Sequence, residues 1–312
     1  MSRTPDTRPD VPRGAQSAAV VLGGADYVEP TIVGNLVQED GLGGWVRNPG
    51  YDAGFCYQYQ YVVADNVGNT NTATSTNVVQ VTAGTSYFNA VSGESGLLSY
   101  WRLGEGSAAS PMADAKAINN GTYVNTPTVG VAGAMAGDSN TAVQFNGTNQ
   151  YGTATRQISG DFSIEFWFKS TQNYSANGPP PSCANWWQGA GLIDADASGS
   201  ANDFGISLCS GKIIAGVGNP DVNIVTSGTY NSGAWHHVVF TRVQSTGAIA
   251  LYVDGAVAGT ATGSVNLLTS QPTLNFGRSA AGVQYYAGSL DEIATYTTAL
   301  SPTIVTAHYN AR

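Results

Sequence analysis

The sequence predicts an all-β protein, one long antiparallel β-sandwich behind a smaller β domain, and three observations carry that expectation. Of the 312 residues, 42% are hydrophobic and only 11% charged, a balance that excludes general disorder and leaves a surface built mostly of Thr, Ser, Asn, Gln and Gly. Short runs with period-two alternation recur along the chain, several of them separated by Asn-Gly or Asp-Gly pairs. The 39 glycines and 13 prolines mark a loop-rich chain.

No stretch approaches the roughly 20 apolar residues of a membrane helix, so membrane insertion is not expected. Twelve Lys and Arg against 21 Asp and Glu give a net charge of -9. That field repels nucleic acid at long range and argues against it as a partner.

Taken in order, residues 1–24 form an N-terminal arm with Arg3, Arg8, Arg13 and the short apolar run Ala18 to Leu22. No signal peptide is visible in it, because the apolar core is too short. A fragment of a longer surface protein, export without a signal and an ordered arm all fit. Residues 25–83 follow as a small β domain. Phe55 to Asp65 alternates aromatic and polar residues, and the turn Asn66 to Asn69 leads to a second run, Thr72 to Thr82, so the pair reads as a hairpin. Pro30 to Gln38 and Trp45 to Arg47 are weaker strands around the turn Glu39 to Gly44. Residues 84–96, rich in Ser and Gly, read as a linker. Residues 97–312 read as one continuous sandwich, with a strong hairpin at Asp254-Gly255 between Leu251-Tyr-Val and Ala256-Val. A single short helix closes it, with Ser301 as N-cap and Pro302 as its first residue.

Eight runs in order over about 215 residues carry a resemblance: YWRLGE from Tyr100, AVQFNG from Ala142, DFSIEFWFK from Asp161, NDFGISL from Asn202, GNPD from Gly218, WHHVVFTR from Trp235, LYVDG from Leu251 and GSLDEIATYTTALSP from Gly288. Together they resemble the laminin-G-like, concanavalin A-like jelly-roll domains of bacterial and phage proteins. The hairpin CYQYQYVVADNVGNTNTATSTNVVQV resembles the last two strands of bacterial immunoglobulin-like repeats, whose earlier strands are short or absent here. The resemblance implies an antiparallel jelly-roll β-sandwich with a smaller, partial immunoglobulin-like β domain before it. The family holds lectins, adhesion modules, pentraxins and some glycoside hydrolases, so the fold alone does not decide function. Its default is a non-catalytic recognition or adhesion module on an extracellular, cell or virion surface, binding a glycan or cell-surface partner through rim loops. The alternative is a structural subunit of a virion or extracellular filament, self-assembling as Ala18 to Leu22 adds a strand to a neighbouring copy.

Enzymatic activity is not expected. Glycoside hydrolysis needs two carboxylates about 5.5 Å apart for retention, or further apart for inversion. In hydrolases of this fold they sit together on one strand as a Glu-x-Asp-x-Glu run, whereas Glu165 stands alone and Asp291-Glu292 lies in the closing strand. His236 and His237 are adjacent on a strand, so they point to opposite faces and cannot chelate one ion.

The resemblance implies a calcium site at the sandwich rim, with Asp203 as one ligand, the backbone near Val217 as another and Thr269 where the family often has Asn or Asp. The acidic loop Asp194 to Asp203 and the GNPD turn with Asn219 and Asp221 could compensate for the weaker Thr269. The competing reading is that Asp203 and Asp221 cap turns. In the insertion 170–191, Trp186 and Trp187 are candidate ligand contacts together with Asn219; at least one tryptophan is expected to be buried, and an exposed one could stack on a sugar ring or a partner's surface. Three cysteines allow one pair and one leftover. Cys183 and Cys209 are expected to form a disulfide closing a loop of about 26 residues, worth roughly 3 kcal/mol in the chain-entropy view. Cys56 would then stay reduced or pair between chains.

Overall fold

The structure, a computed structural model, describes residues 33–39, 45–47, 56–64, 70–80, 86–174, 183–281 and 284–312, the first four segments by their backbone. The chain divides into two units, Met1–Gly84 and Thr85–Arg312. The arm with Ala18 to Leu22 and the proline run Pro179 to Pro181 lie outside the described residues.

In the first unit, strands β1 (Val33–Glu39), β2 (Trp45–Arg47), β3 (Cys56–Ala64) and β4 (Thr70–Gln80) form one antiparallel sheet in the order β2-β1-β3-β4. The expected hairpin is β3–β4.

The second unit begins with helix α1 (Tyr87–Gly93) and strands β5 (Leu97–Trp101), β6 (Thr122–Val124), β7 (Thr128–Ala132), β8 (Thr141–Asn146), β9 (Tyr151–Thr155) and β10 (Phe162–Lys169). A 3-10 turn, Trp186–Gln188, precedes β11 (Ala190–Asp194), β12 (Phe204–Cys209), β13 (Lys212–Val217) and β14 (Val222–Val225). Then come β15 (Trp235–Val243), β16 (Ala248–Val253), β17 (Ala256–Thr262), β18 (Thr273–Phe276), β19 (Ala287–Tyr296) and helix α2 (Pro302–Asn310).

Two antiparallel sheets stack as a jelly-roll sandwich. One runs β17-β16-β15-β10-β19-β8-β7, with β5 also on β19; the other runs β14-β13-β12-β11-β18-β9-β6. Even-numbered residues of β10, Phe162, Ile164, Phe166 and Phe168, enter the layer between the sheets and meet Phe204, Ile206 and Leu208 of β12. Trp167 faces the other way, into a second cluster with Tyr87, Val91, Tyr296 and Val305 beneath the helices. Both faces of β10 are therefore buried, which explains its nearly unbroken apolar run. At β16–β17, Asp254 and Gly255 both have positive φ, 51° and 78°, as a two-residue hairpin turn requires.

The segment read as a linker is helix α1 and belongs to the second unit. Ser86 caps it by accepting a hydrogen bond from the Asn89 amide. Tyr87 and Val91, four residues apart, share one buried face. Among the described residues the second unit thus carries two α-helices, where one was expected. A seven-residue helix is unstable alone, so packing decides it; the Ser and Gly content that suggested a linker reports only intrinsic preference. At α2, Ser301 and Pro302 take their expected N-cap and first-turn places.

Candidate functional site

The tryptophan turn is built over two glycines. The Trp186 indole lies on β12 and β13 where a Cβ at Gly205 would come within 2.4 Å of its Cδ1, and one at Gly216 within 2.5 Å of its Cε3. It packs with Cys209 and Ile214 and is only 1% exposed. Cys183 and Cys209 are disulfide-bonded, holding the preceding segment against this patch. Asn223 accepts from the Trp186 amide at 3.1 Å and donates to Asn185 Oδ1 at 2.6 Å. Trp186 is therefore no ligand contact; it fills the space that the two glycines leave. Trp187 is 37% exposed, and its indole N–H donates to Asp221 Oδ2 at 3.2 Å.

Asp203 sits at the end of β12 next to the Phe204–Val217 pairing, and its carbonyl accepts from the Gly218 amide at 2.9 Å. Its Oδ2 caps Ala197 N at 2.9 Å, as the turn-capping reading expects. The side chain also faces Asp196. Burial, with repulsion from Asp196, lifts Asp203 to about 7. Burial likewise lifts Asp196 above its ordinary value and neighbouring Asp194 to about 8. Thr269 is exposed; the next residue, Ser270, is hydrogen-bonded both ways to Asn202, which places Thr269 at the same rim. Among the described residues no three His, Cys, Asp or Glu side chains gather as a metal-holding group.

The rim also carries a largely exposed amide cluster drawn from three loops. Asn219 Nδ2 and Asn266 Nδ2 both donate to Asn202 Oδ1, at 3.1 and 3.2 Å. Asn219 Oδ1, Asn266 Oδ1 and Asn202 Nδ2 make no hydrogen bond among the described residues, leaving two acceptors and a donor for a ligand. Exposed Val265 and Leu267 flank Asn266, and Trp187 is tied to Asp221, two residues beyond Asn219. Asn202 and Asn266 had no signal in a sequence so rich in Asn; only the loop packing groups them with Asn219.

Buried Arg242 holds one of these loops. Its Nη1 donates to the carbonyls of Ser159 and Gly160 at 3.2 and 2.6 Å, and its Nη2 to those of Ser264 and Asn266 at 2.8 and 2.6 Å.

The carboxylates weighed for catalysis are placed as structural groups. Glu165 is wholly buried and bonded to Tyr87, Tyr296, His237 and His308. Glu292 is held by Arg102 and Tyr100, and Asp291 accepts from the Ala134 amide. His236 and His237 do point apart, the first to Asp254 and the second to Glu165.

Two stacked antiparallel sheets with a loop-built polar rim define a lectin-like jelly-roll domain. A laminin-G family model, described as the concanavalin A-like lectin/glucanases superfamily, matches residues 137–306, and the chain belongs to that family. No curated protein matches it in sequence. Similar solved structures include domain 4 of AbnA, an extracellular GH43 arabinanase from Geobacillus stearothermophilus, in complex with arabinotriose; it is 19% identical, with a TM-score of 0.51, over 68% of this chain and 98% of that one. The binding domain of Paraclostridial Mosquitocidal Protein 1 is 17% identical, with a TM-score of 0.52, over 69% of this chain and 52% of that one. A botulinum neurotoxin type C structure, from work on cell entry through two ganglioside molecules, is 11% identical, with a TM-score of 0.52, over 69% and 51%. The chain thus spans about half of the toxin structures. At these identities the likeness establishes the fold.

Proposed function

We propose that the second unit is a non-catalytic glycan-binding module, with a neutral sugar seated on the rim between Trp187 and Leu267. The observation that carries this reading is the exposed amide cluster Asn219, Asn202 and Asn266, whose free donor and acceptors suit sugar hydroxyls beside an aromatic face. The arabinotriose and ganglioside named with the similar structures support a saccharide as the ligand class. The disulfide supports an extracellular or surface location, since such bonds persist outside reducing compartments.

Screening the full chain on a glycan array that includes arabinotriose and ganglioside sugars tests the proposal. Trp187→Ala and Asn219→Ala are each expected to weaken the best ligand about tenfold, or about 1.4 kcal/mol. Binding unchanged in both variants overturns the rim assignment. Release of reducing ends from any bound polysaccharide overturns the non-enzymatic reading.

The same reading places a calcium ion beside Asp203. The fit rests on Asp203 and Asp196, two buried carboxylates facing each other, with the Val217 backbone, Thr269 and Asp221 as the other oxygens near that edge. Bound there, the ion would offset the repulsion between the two acids and brace the loops of the amide cluster. With Asp203 titrating near 7, the ion competes with a proton below that pH. Millimolar calcium is expected to raise the melting temperature more at pH 8 than at pH 6, and Asp203→Asn to abolish the rise. No calcium effect at pH 8 leaves Asp203 as a turn cap.

A further inference from the structure

On the outer face of the seven-stranded sheet, away from the amide cluster in sequence and contacts, one cation stands apart. The described second unit holds five arginines. Arg102 is paired with Asp138 and Glu292. Arg156 and Arg242 donate to backbone carbonyls, and Arg312 donates to the Tyr309 carbonyl. Arg278 makes no hydrogen bond or ion pair among the described residues. Its guanidinium instead lies over Tyr151, 4.2 Å from the ring centroid, with Tyr285 at 6.0 Å. Tyr285 is its cross-strand partner, through the bridge Arg278–Tyr285, and the two tyrosine rings are 6.4 Å apart.

This arrangement fixes the guanidinium without using its donors. Stacking on an aromatic face orients the plane. Nε is sealed from solvent with no acceptor, while the terminal amino groups are not among the sealed atoms. The nearby buried polar atoms Ser279 Oγ and Gln284 Oε1 also lack partners. Asp194 is tied to this loop, its Oδ1 accepting from the Ala280 amide, and makes no ion pair with Arg278. A cation kept on an aromatic platform and without an ion-pair partner among the described residues, in a chain of net charge -9, is a local inversion of the protein's field.

We propose that Arg278, with Tyr151 and Tyr285, forms a second subsite that binds the carboxylate of an acidic sugar. The planar fork meets a carboxylate through two parallel N–H···O bonds, and the tyrosine rings offer apolar surface to the C–H face of the pyranose. The inference rests on reading this unit as a glycan-binding module, but it uses different residues from the rim.

The test is an NMR titration of the ¹⁵N-labelled full chain with trigalacturonate, following arginine Nε–H resonances; Arg278 is identified by the signal lost in Arg278→Gln. The expected result is a saturable shift of that signal, absent with a neutral galactose trisaccharide. Arg278→Lys is expected to weaken binding about tenfold, because the charge remains but the planar fork does not. No shift with trigalacturonate, or an equal response to acetate and inorganic phosphate at the same concentration, overturns the proposal. Trp187→Ala is run in parallel. A uronate response retained there while neutral-glycan binding is lost separates this subsite from the rim, and failure at the rim alone leaves the Arg278 result standing.

Discussion

Glu165→Ala is expected to lower the melting temperature of the second unit by about 10 °C, which corresponds to the 3–5 kcal/mol typical of breaking a buried ion pair from one side. The carboxylate joins both helices to the eight-stranded sheet. Its Oε1 accepts from Tyr87 of α1 at 3.0 Å and His237 of β15 at 2.8 Å; its Oε2 accepts from Tyr296 of β19 at 2.6 Å and His308 of α2 at 3.0 Å. Removing it leaves two phenols and two imidazoles in a dry site, each then paying its own desolvation. Burial pushes the Glu165 carboxyl up, but the hydrogen bonds and charges of His237 and His308 outweigh it and hold the group well below the carboxylate range. For His308, burial pushes down, but Glu165 and then Glu94 outweigh it and raise the imidazole. The two shifts set the pH window. A depressed acid stabilises above its unfolded value of 4.5 and loses that contribution as pH falls through its folded value. A raised imidazole stabilises below its unfolded value of 6.5 and loses that contribution as pH rises through its folded value. The network is therefore at full strength between about pH 4.5 and 6.5, and the Glu165→Ala deficit should be largest there. Circular-dichroism melts of wild type and variant at pH 5.5 and 8.5 check this. A deficit below about 3 °C at pH 5.5 would show that the helices are held by apolar packing alone.

Arg242→Met is expected to speed hydrogen exchange at the Leu268 amide by more than tenfold and to weaken rim binding with it. The Leu268 amide donates to the Ser159 carbonyl at 2.9 Å, so it reports directly on the junction that Arg242 clamps. Four carbonyls from two loops share this one guanidinium. Methionine fills similar volume, but it leaves the Gly160, Ser264 and Asn266 carbonyls without this donor and frees the loop carrying Asn266, at a cost of about 3 kcal/mol if two of them stay dry. Arg242→Lys should rescue only in part, since a compact ammonium cannot span both pairs of carbonyls. Unchanged exchange at Leu268 in Arg242→Met would mean that the loops are held by their own backbone contacts.

The architecture of the sandwich was readable from the sequence wherever its signals are local. The Asp254-Gly255 hairpin, the Ser301-Pro302 helix start, the β3–β4 hairpin and the ordered family runs each depend on neighbouring residues whose preferences agree. The opposite orientations of His236 and His237 follow from the strand period alone. Cys183 and Cys209 could be matched because three cysteines leave few pairings, and at least one buried tryptophan could be expected from side-chain size.

Tertiary structure decided what depends on distant partners. Helix α1 exists because Tyr87 and Val91 find a buried face between α2 and the sheet; its seven residues have too little intrinsic preference to announce it. Glu165 looked like an isolated acid because its four partners are 72 to 143 positions away in either direction. Which tryptophan is buried was settled by Gly205 and Gly216 on two other strands. The amide cluster and the Arg278 platform were illegible for the same reason: the first is made by three rim loops and the second by residues distant in sequence that pairing within one sheet brings together, and a single asparagine or arginine carries no mark of the neighbours it will meet.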